Sequence, residues 1–181
     1  MDINTKFGYW LTIAQTARYS MGKHSRPMFV ADKQTPETLN EITIGQLIQL
    51  SEIGDTDESF YNITSIILGM TRDETDKARA VDVVRFVGWV VSEVERINKL
   101  FDKIQAKPTS KEQRAGVAKL DFGLFGMIDW YARRMGIQDH EEVFRVPWAR
   151  IYKCMDIDAK TRDYERRLQD IATNDIKRRR R

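Results

Sequence analysis

The amino-acid sequence predicts an all-α fold: a helical bundle of about six to eight helices with a projecting charged C-terminal helix. Apolar residues recur every three or four positions over most of the chain, as on one face of a helix. Only 4 Pro and 10 Gly among 181 residues leave room for long helices. Hydrophobic residues make up 41% and charged residues 31%, which argues against a disordered or membrane protein.

The sequence of the N-terminal third predicts three helices and one long loop in this part of the chain. The first helix runs from Phe7 to Met21 and has one apolar side. The segment from Gly22 to Leu39 lacks periodicity and predicts a loop or a surface arm. Thr43-Ile44-Gly45-Gln46 is a capping box for a short second helix. A third helix is predicted from Asp57 to Leu68, with Gly69 ending it.

The longest predicted helical region follows a second capping box, Thr71-Arg72-Asp73-Glu74, and continues as one helix or a pair to Ile104. β-Branched valines leave its middle ambiguous between strand and helix, and the polar flanks favour helix. Charged residues such as Arg85 and Glu93 interrupt it before the ~20 apolar residues that a bilayer requires. The apolar stripe consists of Val84, Val87, Val91, Val94, Ile97, Phe101 and Ile104.

A polar segment from Lys107 to Ala115 predicts a linker, with Thr109 or Ser110 starting the next helix. It divides the chain into an N-terminal helical part, 1–106, and a C-terminal helical part, 107–181. A single continuous domain is the alternative. The linker therefore marks the best place for a boundary.

The C-terminal part predicts four helical segments. The first runs from Val117 to Met135, has Leu120, Leu124, Phe125, Ile128 and Tyr131 on one face, and ends at Gly136. Gly123 and Gly126 predict a close backbone approach to a neighbour. The remaining segments begin at Asp139, at Pro147 and at Asp158, and the last of them is strongly charged.

No catalytic or metal-binding motif is found in the sequence. His24 and His140 are the only histidines, and neither has ligand spacing with a second histidine or with Cys154, the only cysteine. Asp55 to Ser59 begins like a calcium loop, but phenylalanine and isoleucine follow where glycine and glutamate are needed. The sequence thus predicts a protein that is not an enzyme and has no cofactor. The N-terminus lacks a secretory signal, so we expect no export.

The basic character of the chain is concentrated at its C-terminus. The net charge is +3, and Lys177 to Arg181 carry five positive charges, which leaves −2 for the rest. Five consecutive cations could contact phosphates or an acidic protein groove, and a solvated terminus is an equal alternative. Exposed tryptophans are the other candidates for binding. The predicted partner-binding residues are Trp89, Trp130, Trp148, Lys177, Arg178, Arg179, Arg180 and Arg181.

Several segments together resemble small helical morphogenesis proteins of tailed bacteriophages. They are Ile42 to Leu50, Tyr61 to Thr71, the end of the long helix at Ile97 to Phe101, and Leu124 to Met135 followed by Val143 to Tyr152. Among such proteins the chain most resembles tail-assembly chaperones. These are predominantly helical and shield the hydrophobic tape-measure protein before the tail tube forms.

The resemblance implies a non-enzymatic phage assembly protein, a chaperone-like binder of tail or virion proteins. It would shelter apolar helices along the stripe around Trp89 and Val91, or on an exposed aromatic patch. Two alternatives stay open: a structural virion component of the portal, head–tail or packaged-cargo region, and a nucleic-acid-binding regulator that uses Arg178 to Arg181. Expected partners are other phage structural or tail proteins, with DNA contact through the basic tail and a homo-oligomer left open. The expected location is the host cytoplasm, with retention in the virion as the alternative.

Overall fold

The computed structural model of the chain describes residues 6–7, 25–54, 56–104, 108–120 and 122–179, without the side chains of residues 118, 177 and 179. Eight α-helices, one 3₁₀ turn and one two-stranded ribbon lie within these residues, so the predicted all-α class is confirmed. The strands are β1 (Phe29–Val30) and β2 (Lys33–Gln34). The helices are α1 (Ile44–Glu52), α2 (Glu58–Leu68), α3 (Arg72–Lys77), α4 (Ala80–Ile104), α5 (Ser110–Arg114), α6 (Gly123–Met135), α7 (His140–Phe144) and α8 (Trp148–Arg179).

The predicted N-terminal loop contains the antiparallel ribbon β1–β2, which the sequence did not predict. Ala31 turns the chain between the strands with a φ of 52°. Val30 and Leu39 are fully buried, so this segment packs onto the protein instead of leaving it as an arm. Two-residue strands are too short to give an alternating pattern. The predicted helix from Phe7 to Met21 lies outside the described residues except for Phe7, which is buried.

Most of the predicted capping signals are confirmed, but Asp57, predicted to cap α2, makes no side-chain capping hydrogen bond at the start of that helix. Thr43 and Gln46 satisfy each other's backbone N–H groups at 3.1 and 3.0 Å, which confirms the first capping box. Thr71 forms the second box, and Thr109 forms a third at the start of α5, where the next helix was expected. Gly69 and Gly136 end α2 and α6 in the left-handed conformation.

The predicted helical region forms the pair α3 and α4, and its valine-rich middle is helical throughout within α4. The pair is separated at Ala78, whose backbone is extended and whose N–H caps α3. Valine's preference for strands is overridden because one side of α4 is buried along most of its length. The buried hydrophobic residues of α4 are Ala80, Val83, Val84, Phe86, Val87, Val90, Val94 and Ile97.

The chain divides into two compact units, residues 1–98 and 99–181. The core of the first unit gathers apolar side chains from the ribbon and from α1, α2 and α4, together with Phe7. It also encloses a hydroxyl pair, Thr64 and Thr75, whose Oγ1 atoms are 3.0 Å apart. The boundary placed from sequence between residues 106 and 107 stays a prediction.

The core of the second unit is built from α6, α7 and the start of α8. Its buried residues are Ile128, Tyr131, Ala132, Val143, Trp148 and Ile151. The ring of Phe101 packs against Trp148 and Tyr152, with centroid distances of 6.0 and 5.5 Å. Aromatic pairs at such distances stabilise a core beyond the area they bury.

The second unit differs from the sequence predictions at the start of α6. The helix expected from Val117 is interrupted, because a 3₁₀ turn covers Val117–Lys119 and α6 begins only at Gly123. Leu120 and Phe125, which were expected to be buried, are therefore 64% and 63% exposed, and Leu124 is 40% exposed. The close backbone approach to a neighbour predicted at Gly123 and Gly126 is not found: a Cβ at Gly126 would lie 2.7 Å from the Cβ of Phe122, the N-cap residue of the same helix, and a Cβ at Gly123 would meet no atom within 4 Å.

The helices expected at Pro147 and at Asp158 are a single helix, α8. No proline or glycine lies between Trp148 and Arg179 to break it. Within the described part of the chain, no helix is long and apolar enough to cross a bilayer.

Candidate functional site

An open apolar groove of about 360 Å³ lies on the first unit. Its walls come from the end of α1, the loop that follows, the first half of α2 and the middle of α4. The lining residues are Leu50, Ser51, Ile53, Gly54, Ser59, Ile63, Val90, Val91, Val94, Glu95 and Asn98. The volume is near the lower end of the ~300–1,000 Å³ typical of binding pockets.

The floor of the groove belongs to the hydrophobic core. Leu50, Ile63, Val90 and Val94 are all buried, and Val91 is half-buried at the edge. Positions 91, 94 and 98 of α4 are separated by steps of three and four residues, and position 90 is four residues before 94, so they line one side of the helix. The groove is therefore rigid at its base and apolar where a partner would enter.

The two serine hydroxyls of the wall are hydrogen-bonded within the protein. Ser51 Oγ donates to the carbonyl oxygen of Leu47 at 2.9 Å and accepts from Asn98 Nδ2 at 3.4 Å, which links α1 to α4. Ser59 Oγ donates to the carbonyl oxygen of Gly54 and accepts from the N–H of Thr56 at 3.0 Å, which holds the loop after α1 against α2. Both hydroxyls therefore shape the groove.

Glu95 is the only charged residue among the described residues that line the groove, and it already interacts with other groups of the protein. The end of α1 gives this wall a partial negative charge, because the helix ends with Glu52 and its last turn carries no basic residue. A cationic group beside an apolar ligand would therefore be favoured.

Few of the side chains that catalysis commonly uses line the groove. The described residues that line it include no histidine, cysteine or lysine, and both of its serine hydroxyls are held in the wall. In the described ranges, no group of three histidine, cysteine or acidic residues is placed to hold a metal ion. The arrangement suits binding of an apolar segment.

His140 belongs to a separate charged cluster on the second unit. Its Nε2 lies 3.4 Å from Asp129 Oδ1, and its ring packs on Phe125 with centroids 5.2 Å apart. The pKa of Asp129 is lowered first by its hydrogen bond from Arg133 and then by the one from His140. The cluster joins α6 to the start of α7, which is a structural role.

The three predicted tryptophans have different surroundings. Trp89 is half-buried beside Phe86, at a centroid distance of 5.9 Å, and does not line the groove. Trp130 is half-buried with the guanidinium of Arg134 5.7 Å from its ring. Trp148 is only 3% exposed, so little of its surface is open to a partner in this conformation. Their role in partner binding stays a prediction.

The basic tail is described only in part. The helix α8 extends to Arg179, and Arg178 is exposed on it. The side chains of Lys177 and Arg179 are not described, and Arg180 and Arg181 lie outside the described residues. The five cations are therefore not brought together with the groove by anything the structure describes.

Sequence reasoning found Val91 but missed the rest of the groove. Its opposite wall comes from Ile53, Gly54 and Ser59, in a loop and helix start that were interpreted only as ends and caps. No periodic signal marks such residues, because their common surface is created by the packing of three helices. No family model, curated protein or solved structure matches this chain.

Proposed function

We propose that the protein is a non-enzymatic bacteriophage assembly factor that binds an apolar helix of a tail or virion protein in the groove of the first unit. The observation that carries this proposal is an open apolar groove whose two serine hydroxyls are already hydrogen-bonded. Such a surface gains free energy when an apolar side chain displaces its water. The sequence resemblance to tail-assembly chaperones supplies the biological context.

The expected ligand is an amphipathic helix that carries lysine or arginine beside its apolar anchors. Glu52 and the negative end of the α1 dipole, at the wall of the groove, favour a cation at the rim. Apolar anchors at i, i+3 and i+4 would enter between α1 and α4, as in other helix-in-groove complexes.

The size of the groove favours a transient complex. About 360 Å³ holds a few apolar side chains and not the whole surface of a helix. A chaperone must release its client when the client assembles, and a small contact area allows fast dissociation. A permanent structural interface would be larger and more hydrophobic.

The groove can be tested by filling it. A Cβ at Gly54 would start from the groove wall, meet no atom within 4 Å and require no left-handed backbone. Fluorescence anisotropy would measure the binding of labelled peptides that cover the amphipathic helices of a phage tape-measure protein. We expect Gly54→Leu to weaken binding about tenfold or more, which equals ~1.4 kcal/mol. Asn62→Leu, at an exposed position of α2 outside the groove, is the matched control and should bind normally.

Each rival function predicts a different result. Unchanged peptide binding by Gly54→Leu would contradict binding in the groove, and binding of no tail or virion peptide would contradict the assembly function. Recovery of the protein from purified virions would favour a structural component. DNA binding that weakens steeply with salt and is lost when residues 177–181 are deleted would favour a nucleic-acid-binding regulator.

A further inference from the structure

The helix α8 carries an exposed apolar stripe along its second half. Ile157, Tyr164, Leu168 and Ile171 are 53 to 59% exposed. The steps between them are seven, four and three residues, which is the heptad spacing of a coiled coil. An apolar stripe of this length on a charged, solvated helix is unusual unless something covers it.

The stripe lies on the side of α8 that faces away from its own unit. Trp148 and Ile151 are buried on the opposite side, and Ala159 and Arg166 are half-buried there further along. At 3.6 residues per turn, residue 166 is about half a turn from residues 164 and 168. The pKa of Glu112 on α5 is lowered mainly by hydrogen bonds from Thr109 and further by Arg166 and Arg162, which places that side of α8 beside α5.

Charges of opposite sign flank the stripe. In the heptad register that puts Leu168 at position a and Ile171 at position d, the g positions from residue 153 to residue 167 are basic, and the e positions from residue 158 to residue 172 are acidic or small. The g positions are Lys153, Lys160 and Arg167, and the e positions are Asp158, Glu165 and Ala172. One flank is therefore positive and the other is negative.

We propose that α8 binds α8 of a second copy of this chain as a parallel, in-register coiled coil. In that arrangement a g residue of one protomer meets the e residue five positions later in the other. Lys160 would then meet Glu165, and by symmetry the pair forms twice. An antiparallel arrangement would bring the basic flank against a basic flank and is disfavoured.

The charges along α8 also limit the length of the coiled coil. Asp158 is held by Arg134 at 2.5 and 2.7 Å, so it is not free to pair with Lys153 of another protomer. Lys160 has an intrachain partner in Asp156, but Lys160 is 75% exposed, and such surface pairs exchange at little cost. Asp175 falls at an a position and would oppose its own copy. The shared core thus extends from Ile157 to Ile171, which makes the association weak and reversible.

Self-association is testable on the full chain by sedimentation velocity after nuclease treatment. We expect the weight-average mass to rise above the 21.2 kDa of one chain as concentration increases. Leu168→Asp should raise the apparent dissociation constant about tenfold or more, because a charge would enter the apolar seam. Ile176→Asp is the matched control, since Ile176 is 54% exposed on the same helix but lies about 100° around it from Ile157.

A charge exchange tests the pairing. Glu165→Lys and Lys160→Glu should each weaken self-association, because each places like charges opposite one another. The double variant should restore it to near the wild-type level. Restoration is not expected if the two charges act only on the solubility or helicity of α8.

Crosslinking tests the direction of the helices. In a Cys154→Ser background, Thr161→Cys and Leu168→Cys, both at a positions inside the shared core, should each form a disulfide with the same position of the other protomer under mild oxidation. An antiparallel pair could crosslink at one of these positions at most. A monomer at every concentration, self-association unaffected by Leu168→Asp, or crosslinking at only one position would overturn the proposal.

Discussion

Tyr61 lies where α2 and α3 meet, within a group of charged side chains. Its hydroxyl donates to Asp76 Oδ1 at 2.7 Å, and the guanidinium of Arg72 lies 4.1 Å from the centre of its ring. Arg72 also donates to both carboxylate oxygens of Glu58, at 2.9 and 3.0 Å. Burial, followed by Asp76, raises the pKa of Tyr61 to about 12, with Arg72 opposing the shift.

Tyr61 should make stability fall at alkaline pH. Because its pKa is higher in the folded protein than the ordinary value of 10.0, its contribution is fully present below pH 10 and is lost as pH rises towards 12. Urea unfolding across this window should show a steeper loss of unfolding free energy for the wild type than for Tyr61→Phe. Equal slopes would show that Tyr61 ionises alike in the folded and unfolded chains.

The ends of the helices are stabilised by local contacts that the sequence specifies. Thr71 accepts from the N–H of Glu74 at 3.3 Å, and the Glu74 carboxylate accepts from the N–H of Thr71 at 2.6 Å. These bonds hold the pKa of Glu74 below its ordinary value, with the backbone bond contributing most. The box is therefore intact at neutral pH and is lost as pH falls through that lowered pKa.

Removal of a capping hydroxyl should destabilise the first unit measurably. Thr71→Ala leaves an N–H of the first turn of α3 without its acceptor and should cost about 1 kcal/mol of unfolding free energy. Thr173→Ala is the control, because Thr173 lies inside α8 and donates to the Gln169 carbonyl, where alanine is tolerated. Chemical denaturation measures both, and equal effects would contradict the capping role.

Replacement of a glycine by alanine should lower or raise the stability of the protein according to the backbone conformation of that glycine. Gly136 has a φ of 68°, where a Cβ is strained, so Gly136→Ala should cost about 1–2 kcal/mol. Gly54 has open space around it and no left-handed backbone, so Gly54→Ala should stabilise by about 0.4–1 kcal/mol through the unfolded chain. Thermal unfolding would measure both changes. A loss of stability in Gly54→Ala would show that the loop needs glycine for another reason.

The whole molecule has two compact units, and each has its own buried core. Ile63 on α2 and Ile151 on α8 are almost fully buried, one in each unit. Truncation of either side chain leaves a cavity, and this cavity first lowers the stability of the unit that contains it.

The two units should respond separately to core mutations. Ile63→Ala and Ile151→Ala should each cost about 2–5 kcal/mol in the unit that contains the mutation. Native-state hydrogen exchange would show lower protection in residues 25–98 for the first variant and in residues 108–179 for the second. Equal loss of protection in both ranges by either variant would show that the chain unfolds as one cooperative body.

The sequence by itself determined the class of fold and the positions of most helix ends. Capping boxes at Thr43 and Thr71 and end-capping glycines such as Gly69 could be recognised because these contacts join residues close together in the chain. The valine-rich stripe of α4 was likewise visible, although its helical state was decided by burial.

The tertiary structure alone decided which apolar residues are covered. The break at Val117–Lys119 exposes Leu120 and Phe125. The ribbon with its turn at Ala31 forms because Val30 and Leu39, in the same segment, are buried. The groove wall at Ile53 and Gly54 arises where three helices meet. Burial and grooves depend on contacts between residues far apart in sequence, and the local periodicity of apolar residues does not predict such contacts.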